Sequence, residues 1–259
     1  MTTKKTLAYV FLAAGIFISA CSKEKTIAPE MPRQLVKMYP PAYPASAINF
    51  KYDTKGRLIE QGIDFPVAVF DYTNNIFSAT IVDQNKYVYY KWSNGQIDNA
   101  GRILQLDGLY TPKNAPARDT KLIFMYNADG YIVKQTFTEP ATNYEGVDTY
   151  TYSNGNLIAI HNLINGQLNY RIEFEYYDNL PNKLTLDLNK DILGYVTDGL
   201  TGKRSKNLVK AKRVFSPQNV KTLDNEFQYQ LDSQGYPVKY SGVNLVNSQT
   251  WEMSFTYNK

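Results

Sequence analysis

Phe50-Lys51-Tyr52-Asp53-Thr54-Lys55-Gly56-Arg57-Leu58 sets the local pattern that the rest of the chain repeats. Two aromatics at i and i+2 share one face of a strand, because successive side chains alternate across it. A polar Asp-Thr-Lys-Gly turn follows, and an apolar residue restarts the chain in the opposite direction. The unit recurs as Phe70-Asp71-Tyr72, Tyr90-Lys91-Trp92, Phe124-Met125-Tyr126, Tyr150-Thr151-Tyr152, Phe174-Glu175-Tyr176, Phe227-Gln228-Tyr229 and Phe255-Thr256-Tyr257. Successive second aromatics are 20 to 53 residues apart, too uneven for a strict solenoid.

The turns carry the hairpin signature. Ser93-Asn94-Gly95, Ser153-Asn154-Gly155 and Asn165-Gly166 offer Asn-Gly, the preferred two-residue type I′ turn. Asn127-Ala128-Asp129-Gly130 suits a type I turn closed by a left-handed glycine. Ile97, Ile132 and Leu157 are the expected restarts after three of them. Between turns the pattern alternates: Tyr170, Ile172, Phe174 and Tyr176 oppose Arg171, Glu173 and Glu175. Leu184, Leu186 and Leu188 also alternate, as do Trp251, Met253, Phe255 and Tyr257. One dry face and one wet face is the mark of an antiparallel sheet. The chain therefore reads as all-β: a large antiparallel up-and-down meander of about 16 strands, curling into a barrel or a strongly curved open sheet.

Three interruptions are expected, at 107–119, 139–146 and 189–207. The last is the largest irregular insertion, with a short helix over Asp191–Thr197 as one reading. It is the candidate plug, because a barrel of so many strands is too wide for its wall side chains to fill.

The N-terminus carries an address. Lys4-Lys5, an apolar run from Leu7 to Ala20 and small residues ahead of Cys21 describe a secretory signal. Ile18-Ser19-Ala20-Cys21 resembles a lipobox, which implies cleavage before Cys21 and lipidation of its thiol. The expected organisation is a signal peptide over 1–20, a lipidated proline-rich tether over 21–46, and one β-meander domain over 47–259. A short helix over Met31–Met38 is a further reading of the tether.

Composition removes several functions. Without Lys4 and Lys5 the formal charge falls from +4 to +2, too balanced to point to nucleic acid. With Cys21 lipidated no thiol remains for disulfides, thiolate metal sites or nucleophilic catalysis. His161 is the sole histidine, too little for a zinc site, and no cofactor motif is present. No triad spacing surrounds His161, and Gly202-Lys203 lacks the residues of a phosphate loop. No catalytic residues are assigned, and the protein reads as a non-enzyme.

Two groups of residues are candidate ligand contacts. Tyr87 and Tyr89 fall on the face opposite Val88, Tyr90 and Trp92, where a sugar could stack. Lys203, Arg204 and Lys206 begin a run of six basic residues in eleven positions, suited to an anionic envelope surface.

The Phe50–Leu58 unit resembles the YD repeats of Rhs-type proteins. Taken together, the lipobox, the proline-rich tether, the hairpins and Gly202-Lys203-Arg204-Ser205-Lys206-Asn207-Leu208 resemble a Bacteroidetes-type lipoprotein family of unknown function with a porin-like β fold. The resemblance implies an outer-membrane lipoprotein of the cell envelope, its membrane partner reached through Cys21. It transfers no catalytic residue. The leading expectation is a non-catalytic binding or scaffolding protein for a glycan or envelope component. A glycan-acting hydrolase and an outer-membrane pore are the alternatives. Against the pore stand the redundant anchor and a C-terminus ending Tyr257-Asn258-Lys259 rather than on an aromatic.

Overall fold

A computed structural model describes residues 33–63, 66–73, 76–83, 85, 87–185 and 199–258. Sixteen strands among the described residues form one antiparallel up-and-down meander that closes into a barrel. In chain order they are β1 (Leu35–Tyr39), β2 (Ile48–Tyr52), β3 (Leu58–Gly62), β4 (Pro66–Asp71), β5 (Phe77–Val82), β6 (Val88–Ile97), β7 (Ile103–Tyr110) and β8 (Arg118–Tyr126). The second half comprises β9 (Ile132–Glu139), β10 (Tyr144–Ser153), β11 (Asn156–Ile164), β12 (Gln167–Pro181), β13 (Asn207–Phe215), β14 (Lys221–Leu231), β15 (Pro237–Asn244) and β16 (Gln249–Tyr257). Met38 faces Phe255 across the closing β1–β16 pair. Closure leaves no strand edge to template aggregation.

The barrel has two unlike ends. At the turn end, Asp53, Asp98 and Asp232 each accept two backbone N–H groups from their own turns through one carboxylate oxygen. These turns end on Gly56, Gly101 and Gly235 at φ of +78°, +81° and +80°, which L side chains rarely adopt. Arg57 and Arg102 return to pair with Asp53 and Asp98, each at 2.6 Å, and their guanidinium groups lie over Tyr72 and Tyr126. One short sequence thus fixes a turn, an ion pair and a cation–π contact together.

Immediately inside this end lies the driest layer of the protein. Leu35, Leu58, Phe77, Ile103, Ile132 and Leu157, the first or second residues of odd-numbered strands, are 0% exposed. The restart residue of each hairpin is therefore the plug of the barrel's own wall. At roughly 25 cal/mol per Å² of apolar surface, each such side chain contributes about 1.5–3 kcal/mol.

The β12–β13 connection finishes the seal. Beyond β12, Leu184 enters the core and Thr185 Oγ1 accepts from the Leu35 amide. On the return, the Leu200 carbonyl accepts from the Ile103 amide, and Lys203 and Lys206 donate their backbone N–H groups to Gly130 and Gly155. The described part of the 189–207 insertion, 199–207, is thus bonded onto the turn end. The helix reading of Asp191–Thr197 and the side chains Leu186 and Leu188 lie outside the described residues.

Several local expectations are corrected. Ser93-Asn94-Gly95 is no turn: it is a bulge inside β6, where the register jumps from Ser93–Asp107 to Gln96–Gln105. A Cβ on Gly95 would come within 2.5 Å of the Phe77 carbonyl, so close packing uses the glycine, and Asp98–Gly101 makes the real turn. Ile97 is consequently the last residue of β6, and Ile103 is the restart. Leu35–Tyr39, inside the segment read as tether or helix, is strand β1, because the ring needs it to pair β16 with β2. The interruptions at 107–119 and 139–146 shrink to 111–117 and 140–143, since the flanking strands run on through them. Leu184 follows β12 rather than extending it.

Candidate functional site

The outer wall carries cross-strand charged pairs. Lys51 pairs with Glu60, its cross-strand partner, at 2.6 Å. Lys239 meets Glu252 at 2.6 Å, and Arg213 bridges Glu175 and its register partner Asp224. β1 to β5 contain five or six residues each. A strand that crosses a bilayer needs about 9–11 residues, and lysine or arginine facing lipid at its midplane costs about 2–4 kcal/mol.

The interior is dry at the turn end and mixed toward the other, here termed the loop end. Tyr90 stacks on Trp92 with centroids 5.6 Å apart and on Tyr110 at 4.7 Å. Phe137 meets Trp92 and Tyr144 edge-on. Trp92 and Trp251 lie against glycines on their partner strands: a Cβ at Gly108 would sit 2.4 Å from Trp92, and one at Gly242 would sit 2.3 Å from Trp251. The indoles therefore lie flat along the wall because the facing residue has no side chain.

Beside this cluster runs a polar row missed by the sequence reading. Gln135 faces Asp148, and Asp148 faces Asn162, on β9, β10 and β11. The Asn162 amide donates to Asp148 Oδ1 at 2.7 Å and accepts from Asn169 at 2.9 Å. Burial pushes the Asp148 carboxyl above the usual carboxylate range, with the Asn162 hydrogen bond pulling weakly the other way. Glu139, farther along β9, behaves oppositely: the Arg118 guanidinium at 2.7 Å and the Thr142 hydroxyl hold it below that range. The signal available in sequence was an acid at the inward parity of β10, two residues before Tyr150.

A raised and a lowered carboxyl on one interior surface invite comparison with an acid/base pair. Their spacing argues against it. Glu139 is four residues along β9 from Gln135, the partner of Asp148, or ~13 Å at ~3.3 Å per residue. Glycosidase carboxyls stand about 5–9.5 Å apart. His161 faces Thr149 and Arg171 across the sheet, with no carboxylate opposite it. No cluster of metal-ligating side chains occurs among the described residues.

The candidate contacts fall at opposite ends. Tyr87 and Tyr89 meet edge-on at 5.4 Å near the loop end, with the Lys113 ammonium 5.9 and 5.7 Å from their ring centres. Lys113 pairs with Asp83 at 2.7 Å, and the Tyr87 hydroxyl donates to the Pro112 carbonyl. The protein's own lysine therefore occupies this platform. Lys203 and Lys206 are exposed at the turn end, Arg204 is half-buried, and the neighbouring Thr201, Ser205 and Asn207 are buried. Lys203 and Arg102 border a depression of about 510 Å³ beside Gly130 and Gly202. A second groove, also about 510 Å³, lies over β13 to β16.

These features define a closed sixteen-stranded antiparallel barrel with a packed apolar end, an aromatic and polar interior toward the other, and charged pairs on its outer wall. The chain matches no family model and no curated protein in sequence. Two solved structures share its architecture. One is a porin-like protein from Bacteroides vulgatus ATCC 8482, 14% identical, aligned over 87% of this chain and 99% of that one with a TM-score of 0.60. The other is a porin-like protein from Bacteroides uniformis ATCC 8492, 15% identical, covering 82% and 89% of the respective chains at a TM-score of 0.61. The likeness is one of fold.

Proposed function

We propose that this chain is an exported, lipid-anchored, non-catalytic binding protein of the outer membrane that holds its barrel in water rather than in lipid. The observation that carries this reading is the outer wall: short strands and cross-strand ion pairs outside, apolar residues sealed inside. Membrane attachment then belongs to Cys21, ahead of the barrel. Replacing Cys21 by alanine should move the full chain from the membrane fraction to the soluble one. Retention in the membrane after carbonate washing would sink the anchoring.

The fold shared with two porin-like proteins favours a second reading, an outer-membrane pore. Conductance steps in a planar bilayer holding the purified chain would establish it. Silence, with solubility of the Cys21→Ala chain in the absence of detergent, supports the anchored binding protein.

A further inference from the structure

We propose that the groove over β13 to β16 binds a neutral oligosaccharide. This names the ligand class for the binding reading above and rests on it. The groove forms where two strands part. β13 and β14 are in register from Phe215–Lys221 to Ala211–Glu226, and there the ladder stops. Below that point Val209 and Asn207 pair with β12, while Phe227 to Leu231 stay with β15. The Tyr177 hydroxyl reaches across and donates to the Phe227 carbonyl at 2.8 Å.

A volume of about 510 Å³ lies within the roughly 300–1,000 Å³ of small-ligand sites.

Its border selects the chemistry. Lys210, Glu226, Gln228, Ser241 and Thr250 line it beside Tyr177. They supply a donor-only ammonium, an acceptor-only carboxylate, an amide and two hydroxyls. A sugar hydroxyl donates and accepts at once, so this mixed set suits a polyol. Among the described residues Lys210 and Glu226 make no ion pair, whereas Glu252 at the margin is taken by Lys239 at 2.6 Å. One cation and one anion balance, which removes the preference for a charged ligand. Strand addition by a peptide is disfavoured, because Tyr177 already holds the Phe227 carbonyl that an added strand would need.

The test is calorimetric titration of the full chain in detergent micelles with defined neutral oligosaccharides of glucose, mannose, galactose and N-acetylglucosamine. Glu226→Gln with Gln228→Ala, and separately Ser241→Trp to fill the groove, should each weaken binding roughly tenfold or more. Unfolding midpoints confirm that the variants fold, and Tyr87→Ala with Tyr89→Ala should leave affinity unchanged. Binding that ignores the groove variants overturns the site while leaving a glycan-binding protein. No binding of any oligosaccharide by the parent chain overturns the ligand class. The fractionation and conductance measurements still judge the anchored barrel separately.

Discussion

The Tyr52 hydroxyl donates to the Leu35 carbonyl at 2.7 Å, tying the end of β2 to the start of β1. The same bond joins Tyr72 to Leu58, Tyr126 to Ile103, Tyr176 to Leu157 and Tyr257 to Pro237. In each case a tyrosine of an even-numbered strand (Tyr176 within β12, Tyr72 one residue beyond β4) satisfies the carbonyl of the first or second residue of the preceding odd-numbered strand. This accounts for tyrosine, rather than phenylalanine, at five of the eight second-aromatic positions of the repeat. Burial raises the Tyr52 phenol to about 12, so the hydroxyl keeps its proton as a donor across the physiological range.

Tyr126→Phe should therefore cost about 1–3 kcal/mol, because the buried Ile103 carbonyl loses its partner. Urea denaturation measures it. Tyr43→Phe, on a residue 69% exposed, is the control and should change stability by less than about 0.5 kcal/mol. Equal effects would remove the latch.

Leu157 and Ile158 are neighbours with opposite fates, 0% and 38% exposed. Leu157→Ala should destabilise by about 2–5 kcal/mol, and Ile158→Ala by far less. The ratio, read from denaturant midpoints, checks that the dry face points inward. In a barrel facing lipid the outward residue would matter comparably.

Gly108→Ala places a Cβ 2.3 Å from Thr120 Oγ1 and 2.4 Å from Trp92. Overpacking of this kind costs about 1–3 kcal/mol. Displacement of the indole should also shift tryptophan emission. Gly166→Ala, with nothing within 4 Å of its Cβ but φ at +79°, should destabilise without that spectral change.

Asp148 carries a pH prediction. Its carboxyl is raised in the folded state by burial, so protonated Asp148 costs nothing extra and ionised Asp148 is penalised. Below the unfolded value near 3.9 the two states bind the proton equally. As pH rises from there through the folded value, the native state loses stability relative to a neutral side chain. Asp148→Asn should therefore match the parent at pH 3 and exceed its thermal midpoint at pH 7. An advantage that is independent of pH would assign the effect to packing.

How much was legible follows from which interactions are local. Alternation of Tyr170, Ile172 and Phe174, and the turns at Asp53, Asn127 and Asn154, depend on a few adjacent residues and were readable as hairpins. Ser93-Asn94-Gly95 was misread because a turn and a bulge share the same left-handed chemistry. Only Phe77 on the adjacent β5 decides between them. β1 was hidden because five residues beside prolines carry too little pattern to separate strand from tether. Its strand state is set by Phe255, more than two hundred residues away.

The candidate sites divide the same way. Tyr87 and Tyr89 were legible as a pair, but the lysine that covers them comes from the loop beyond β7. Of the Gln135, Asp148 and Asn162 row only the inward parity of Asp148 shows in sequence, and the β13–β14 groove has no signature, since their members lie on different strands. The all-β meander, its hairpins and its two-faced strands follow from local sequence alone, because strand parity and turn geometry are properties of neighbours along the chain. Closure of the sheet on β1, the single sealed layer of restart residues and the place where the ladder opens come instead from the fold as a whole. Those outcomes depend on register between distant strands and on which side chains meet across the barrel.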